Sequence, residues 1–378
     1  MNTQTTYLAS KPHYEILDGL RGVAALIVVA FHLFEAHSDG SHLTQFINHG
    51  YLAVDFFFML SGFVIGYAYD DRWNKMSLGS FFKRRLIRLH PMIIMGSIIG
   101  AVFFYFQESS CFPLIQDTSV GVMLLVMLLG FTLLPLPVDM DIRGWSEMHP
   151  LNGPAWTLYY EYIANILYAL VIRHLPKIWL AVLVFLAACA TMHLCLTAPS
   201  GDIIGGWALN GEQQYVGFVR LTYPFFAGLL LSRLGWLIRI KRGAFWICSL
   251  FIVVVLFYPR IGGEEGLWMN GLYEALCIIC VFPIIVSMGA GGKVTGQSAR
   301  VCKFLGDISY PIYITHYPLI YTYTAWVCNT HVSLSKAAPY MILTYVAAIL
   351  LAYGCLKLYD EPVRKWLTER FLMKKKAL

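Results

Sequence analysis

Residues 18–32 read Asp-Gly-Leu-Arg-Gly-Val-Ala-Ala-Leu-Ile-Val-Val-Ala-Phe-His, and the reading of this stretch decides the fold. Arg21 and His32 stand eleven positions apart, and every residue between them is apolar or glycine. On an α-helix that separation is a rise of roughly 16 Å with a net rotation of about 20°. Both polar groups therefore share one face, about half a bilayer apart. Polar groups with such apolar flanks are expensive in lipid, so each needs a partner or a task.

The rest of the chain repeats this apolar character. Of its 378 residues 58% are hydrophobic and 13% charged, with a mean hydropathy of +0.61. Soluble domains carry about 25% charged residues, so this composition cannot cover a soluble surface. The expectation is an all-α, polytopic transmembrane helical bundle forming a single integral domain over 1–378. The formal charge of +6 is not a nucleic-acid signal, because its Lys and Arg cluster at the ends of apolar runs as the positive-inside rule requires. The nine cysteines show neither a metal nor a disulfide framework, and Cys277-x-x-Cys280 reads as helix packing. The first apolar run has no small-residue cleavage site after it and reads as an uncleaved span.

Eleven apolar runs follow one another, at about 19–36, 51–69, 91–106, 120–136, 155–172, 178–196, 215–232, 244–259, 272–289, 305–326 and 338–358. Lys83–Arg88, Arg239–Arg242, Lys293–Lys303 and the tail Arg364–Lys376 are basic and read as cytoplasmic loops and terminus. Both termini on that side demand an even number of crossings, so ten spans are expected. The extra run falls between 91 and 136, where Pro91, Pro135 and Pro137 favour a re-entrant or interfacial piece. The tail from about 360 to 378 reads as a basic interfacial helix with Trp366 and Phe371 at the headgroups.

Several polar residues inside these runs are candidates for chemistry. Arg21 has Asp18 three residues away as a simple partner, whereas His32 lies deeper and titrates near neutrality. Asp55 is a further intramembrane charge, a partner for Arg21 or for His32, with Ser61 following on the same segment. Arg84, Arg85 and Arg88 are either topology signals or an anion clamp, since guanidinium groups match phosphate geometry. Glu161 lies within an apolar run behind Trp156. Tyr159, Tyr160, Tyr162 and Tyr168 surround it, an aromatic wall suited to stacking on a sugar. Tyr310 and His316 lie in a late run bracketed by Pro311 and Pro318, which free backbone carbonyls; His316 either titrates or bonds such a carbonyl.

These motifs, taken in order, resemble the acyltransferase-3 family of membrane proteins from Leu17 to about Arg364. They are Leu-Asp-Gly-Leu-Arg21 with His32, and Asp55-Phe-Phe-Phe-Met-Leu-Ser-Gly-Phe. Then come Arg85-x-x-Arg88, Pro154-Ala-Trp-Thr-Leu-x-x-Glu161, Leu-Gly-x-Ile-Ser-Tyr-x-x-Tyr-x-x-His316 and Asp-Glu361-Pro-x-Arg364. The resemblance implies a ten-helix domain that takes an acyl group, usually acetyl, from cytosolic acyl-CoA and delivers it to a hydroxyl of a glycan or lipid-linked glycan. It further implies the inner membrane of a bacterium, with Arg21 and His32 important for activity. Some members carry a fused extracytoplasmic esterase-like domain. This chain ends after its membrane tail, so acceptor choice is expected to reside in the spans and short loops.

The expected mechanism has Arg85 and Arg88, with Arg84, holding the CoA phosphates. Arg21 handles the thioester, and His32 serves as general base, oriented by Asp55 or Glu161; the alternative is an acyl-His32 intermediate with ping-pong kinetics. Trp156, Tyr160, Ser61, Tyr310 and His316 are the expected substrate contacts, and no metal is called for. Two rival classes remain on these residues. A transporter or flippase would use the same Arg–His–Glu stripe to relay protons, although no internal repeat is evident. A non-catalytic sensor would tolerate loss of Arg21 and His32.

Overall fold

The computed structural model describes residues 11, 13–38, 41, 44–261 and 264–373. The tail lysines at 374–376 and most of the polar N-terminal stretch lie outside them. The helices, in chain order, are α1 Glu15–Glu35, α2 Ala53–Tyr69, α3 Leu78–Phe103, α4 Val120–Thr132 and α5 Ala155–Leu170. They continue with α6 Lys177–Thr197, α7 Gly211–Leu234, α8 Ala244–Phe257, α9 Leu267–Leu276 and α10 Phe282–Gly291. The last are α11 Gly296–Thr315, α12 Tyr317–Thr330, α13 Leu334–Cys355 and α14 Glu361–Phe371. No named strand occurs among the described residues.

Leaving α4 and α14 aside, the helices of the described residues group into ten passages. A π-helical turn, Cys277–Val281, joins α9 to α10 into one passage, and α11 and α12 form another, broken at His316. Seven segments are long and apolar enough to cross a membrane by themselves. Helix α4 is the exception. It starts beside the end of α3 and reaches down until Gly130 packs on Ser97, then turns back at Leu133, whose φ is 59°. By Ile142 the chain again lies beside Thr118, whose hydroxyl donates to the Ile142 carbonyl. It enters and leaves at the same end, so 120–136 is the re-entrant run.

Two expectations need correction here. Lys83–Arg88 is not a loop but the opening of α3, capped by Ser77, whose side chain accepts from the Ser80 amide. Long cationic side chains lie along a helix and carry their charge to its end, so a helix can begin well before its apolar run. The cysteines also hold one disulfide, Cys111–Cys328, between partners 217 positions apart. Both lie in polar stretches beyond the apolar runs, at the end of the bundle opposite the basic loops, where no local spacing announces a pairing. Cys277 and Cys280 are free, as helix packing requires.

Close backbone approach fixes two helix pairs. A Cβ on Gly22 would overlap the Leu305 carbonyl, so α1 lies directly on α11. Cβ atoms on Gly62 and Gly228 would likewise overlap the Phe225 and Met59 carbonyls, which sets α2 against α7. Small residues permit such contacts, and dispersion then replaces the missing hydrophobic drive of a lipid solvent. These two pairs carry Arg21, His32, Asp55, Ser61 and Tyr310.

Candidate active site

The bundle encloses two cavities, one opening toward each end. The first, about 620 Å³, opens at the end with the basic loops and is lined by Asp18, Arg21, Arg85, Arg88, Glu161 and Arg364. Arg21 donates from Nε to Ser309 Oγ at 2.8 Å and from Nη2 to Asp18 Oδ1 at 2.9 Å, so its simple partner is the real one. Arg85 Nη2 meets Glu161 Oε1 at 2.5 Å, and Ser61 donates to the same oxygen at 3.0 Å. Arg364 pairs with Asp360 at 2.9 Å. Arg88 faces Arg21, Arg85, Asp18 and Arg364, yet it has no ion-pair or hydrogen-bond partner among the described residues. A cation so placed is available to an anionic ligand. Tyr310 lines this cavity too and donates to the Leu89 carbonyl at 2.6 Å. A contiguous groove at the mouth adds Lys11, Arg72, Arg84 and Lys365. Arg84 lines that groove and not the cavity.

The second cavity, about 700 Å³, opens at the end that carries the disulfide. His32 lines it, and its Nδ1 lies 2.7 Å from Glu35 Oε2. A carboxylate only accepts, so Nδ1 donates in this contact and Nε2 takes no part in it. Neither Asp55 nor Glu161 orients His32, which corrects that expectation. Glu35 does so from one helical turn away. Asp55 instead forms a buried ion pair with Arg220, at 2.8 Å and with exposures of 0% and 2%. Arg220 also donates to the Tyr51 and Gly205 carbonyls, which fixes its guanidinium at the cavity wall. An ion pair between α2 and α7 satisfies both charges without Arg21 or His32.

His316 lies at the break between α11 and α12. Its Nδ1 meets the Ile312 carbonyl at 2.8 Å, and its ring stacks on His32 with centroids 5.7 Å apart. Trp156 lines the second cavity, as expected of a substrate contact. Tyr160 does not. It is fully buried, packed on Gly217, Trp156 and Phe218, and lines neither cavity. Tyr168 is equally buried, and the aromatic lining of the second cavity includes Trp145, Trp156, Trp207 and Tyr317 instead.

A carboxyl that the sequence did not single out completes the second cavity. Glu147 sits in the segment returning from α4 and accepts from the Tyr321 hydroxyl. Arg143, fully buried, lies 3.5 Å above the Tyr321 ring and donates to Gln107 Oε1 and the Pro150 carbonyl. Burial pushes Glu147 up to about 8 against the pull of Arg143, so it stays protonated at neutral pH. Glu35 and Arg220 were detectable by the rule that flagged Asp55, namely a charge beside or inside an apolar run. Glu147 sits in a polar loop and carries no such signal. Among the described residues no cluster of metal-ligating side chains occurs.

Val54 and Tyr313 line both cavities. A helical membrane bundle with a cationic chamber at one end, a histidine–carboxylate chamber at the other and a shared wall between them has the form of a transfer protein. Residues 14–356 match the acyltransferase-3 family model, described as an acyltransferase domain, and the chain belongs to this family. It is 32% identical over 165 residues to "Protein 2 in picA locus" of Rhizobium radiobacter, covering 41% of this chain and 80% of that one. It is 23% identical over 379 residues to O-acetyltransferase OatA of Staphylococcus aureus (strain MRSA252), covering 96% of this chain and 59% of the relative. Peptidoglycan O-acetyltransferase OatA of Listeria monocytogenes is also 23% identical, over 393 residues, 97% of this chain and 58% of its own length. The chain thus spans under two thirds of these two relatives. No solved structure matches it significantly.

Proposed function

We propose that the protein is a membrane O-acyltransferase that moves an acyl group, in the simplest case acetyl, from cytosolic acyl-CoA to a hydroxyl of a cell-surface glycan or lipid-linked glycan. The observation that carries this is the pair of cavities meeting at Val54 and Tyr313, one bearing the uncommitted Arg88 and the other His32 with Glu35. The basic loops argue that the Arg88 end faces the cytosol, and the Cys111–Cys328 disulfide suits an oxidising exterior. The names of the two relatives support O-acetylation, and that of the Listeria monocytogenes relative, a peptidoglycan O-acetyltransferase, supports a glycan hydroxyl as acceptor.

Arg88 and Arg85, with the mouth groove behind them, receive the phosphates of the donor, while its pantetheine arm points toward the second cavity. A hydroxyl in the second cavity attacks the thioester carbonyl carbon. His32 Nε2 takes the hydroxyl proton as the new C–O bond forms, and Glu35 steadies the charge that develops on the ring. As the C–S bond breaks, the imidazolium returns that proton to the departing thiolate. An ester and free CoA-SH result. Arg220 and neutral Glu147 offer donors to sugar oxygens, and Trp156 and Trp145 offer ring faces.

Mass spectrometry of surface glycans from cells with and without the protein is the test. A gain of about 42 mass units, acetyl replacing hydrogen, is expected with the wild type and absent with His32→Ala. In reconstituted protein, Arg88→Ala raises the KM for acetyl-CoA roughly tenfold or more, as loss of a charge-assisted contact implies. Two cavities separated by a shared wall also suit a transporter. Substrate-driven proton uptake into vesicles without thiol release would overturn the acyltransferase reading in its favour.

A further inference from the structure

The wall between the two cavities has a defined composition. Val54 and Phe57 come from α2, Thr157 from α5 and Tyr313 from α11, and Phe57 and Thr157 face the first cavity. The Tyr313 hydroxyl lies 2.9 Å from Thr157 Oγ1, which ties its ring across the gap. Phe57 packs edge-on against that ring with centroids 5.4 Å apart. Tyr313 stands between Glu161 on the first-cavity side and Arg220 on the second. Neither Arg21, Arg85 nor Arg88 reaches the second cavity, and His32 does not reach the first.

Any thioester that meets His32 must therefore thread this wall, acyl end first. We propose that Val54, Phe57 and Tyr313 form a throat that selects the acyl group by width. The proposal rests on the acyl-CoA reading above and adds to it the class of acyl group accepted. A linear acyl chain is no wider than the pantetheine arm that follows it, so the throat does not discriminate between acetyl and butyryl on entry. A branch or an aryl ring next to the carbonyl is wider than that arm and meets Phe57 and Tyr313 at the same moment. Packed interiors of this kind respond to single methyl groups. Discrimination against one added branch is therefore roughly 10–200-fold.

The experiment is turnover by the full chain in nanodiscs with acetyl-, butyryl-, isobutyryl- and benzoyl-CoA, using muropeptides as acceptor and free thiol as readout. Wild type is expected to prefer butyryl over isobutyryl and to reject benzoyl. Phe57→Ala and Val54→Ala are expected to raise isobutyryl and benzoyl turnover relative to acetyl roughly tenfold or more. Tyr313→Phe keeps the ring and its width, and leaves these ratios within about threefold of wild type, below the tenfold size of a real contact change. Val54→Phe narrows the throat and lowers turnover of every donor. Unchanged donor ratios in active Phe57→Ala and Val54→Ala proteins overturn the throat and leave the acyltransferase reading standing. A wild type that turns over none of the four thioesters, nor acetylates cells, overturns both.

Discussion

Replacing Glu35 with Gln isolates the contribution of the carboxylate that holds His32. The two side chains meet at 2.7 Å with 17% and 29% of their surfaces exposed. A hydrogen bond to a charged group contributes about 1.5–3 kcal/mol, and partial exposure favours the lower half of that range. At about 1.36 kcal/mol per decade, its loss in the transition state lowers kcat by roughly 10- to 50-fold. If the amide also lets the imidazole settle with its proton on Nε2, the loss extends toward about 10⁴-fold, as when an orienting carboxylate is neutralised in a catalytic triad. The donor end is remote. Glu35 lies fourteen positions beyond Arg21 on α1, about 21 Å along the axis, so the KM for acetyl-CoA stays at its wild-type value. The assay is steady-state thiol release from acetyl-CoA by nanodisc protein with muropeptides, comparing Glu35→Gln, Glu35→Asp and His32→Ala. Partial recovery in the Asp variant is expected, since it keeps the acceptor and shortens its reach. A Glu35→Gln enzyme within threefold of wild-type kcat, beside an inactive His32→Ala, would refute the orienting role, and so would a defect confined to the donor KM.

Asp55→Asn leaves Arg220 buried without a counter-charge, which costs about 3–5 kcal/mol. The expected result is a lower yield of folded protein and a lower thermal midpoint, partly recovered by Asp55→Leu with Arg220→Met; a stable, well-folded but inactive Asp55→Asn protein would count against a structural pair. Glu147, raised to about 8 in the folded chain from an ordinary 4.5, keeps its proton through neutral pH and loses it as pH climbs through about 8. Because the folded state binds that proton more tightly than the unfolded chain, stability falls as pH climbs from 4.5 toward 8. Its charged neighbours are Arg143, Asp141 and Glu35, and Tyr321 donates to it. Acceptor KM should therefore rise above pH 8 in wild type and stay level in Glu147→Gln; identical profiles would remove Glu147 from the acceptor site. After mild reduction of intact cells, a membrane-impermeant maleimide should modify Cys111 and Cys328, and modification only in opened cells would invert the proposed orientation.

The bundle was legible in the sequence because hydropathy is a local quantity. Apolar runs of span length announce their helices one at a time, and Pro91, Pro135 and Pro137 narrow the run that turns back to the two between 91 and 136. The start of α3 was hidden because Lys83–Arg88 reads as a loop to any rule that equates charge with exposure. At the site, local relations were readable and tertiary ones were not. Arg21 with Asp18 is a three-residue relation and was found. The alternatives weighed for His32 were distant residues, and Glu35, three positions away, was passed over. Asp55 and Arg220 are 165 positions apart, Arg85 and Glu161 76, and no pattern within one helix selects such partners. Tyr160 misled because aromatic residues around a buried carboxylate look alike whether they face a ligand or a neighbouring helix.

The glycine contacts that set α1 on α11 and α2 on α7 have a mechanical consequence. Neither pair has room for a side chain at those glycines, so each leaves its partner helix a single seat. Val54 and Phe57 stand on α2 and Tyr313 on α11, so the two sides of the wall between the cavities belong to different pairs. Thr157, on α5, belongs to neither and meets Tyr313 across that wall at 2.9 Å.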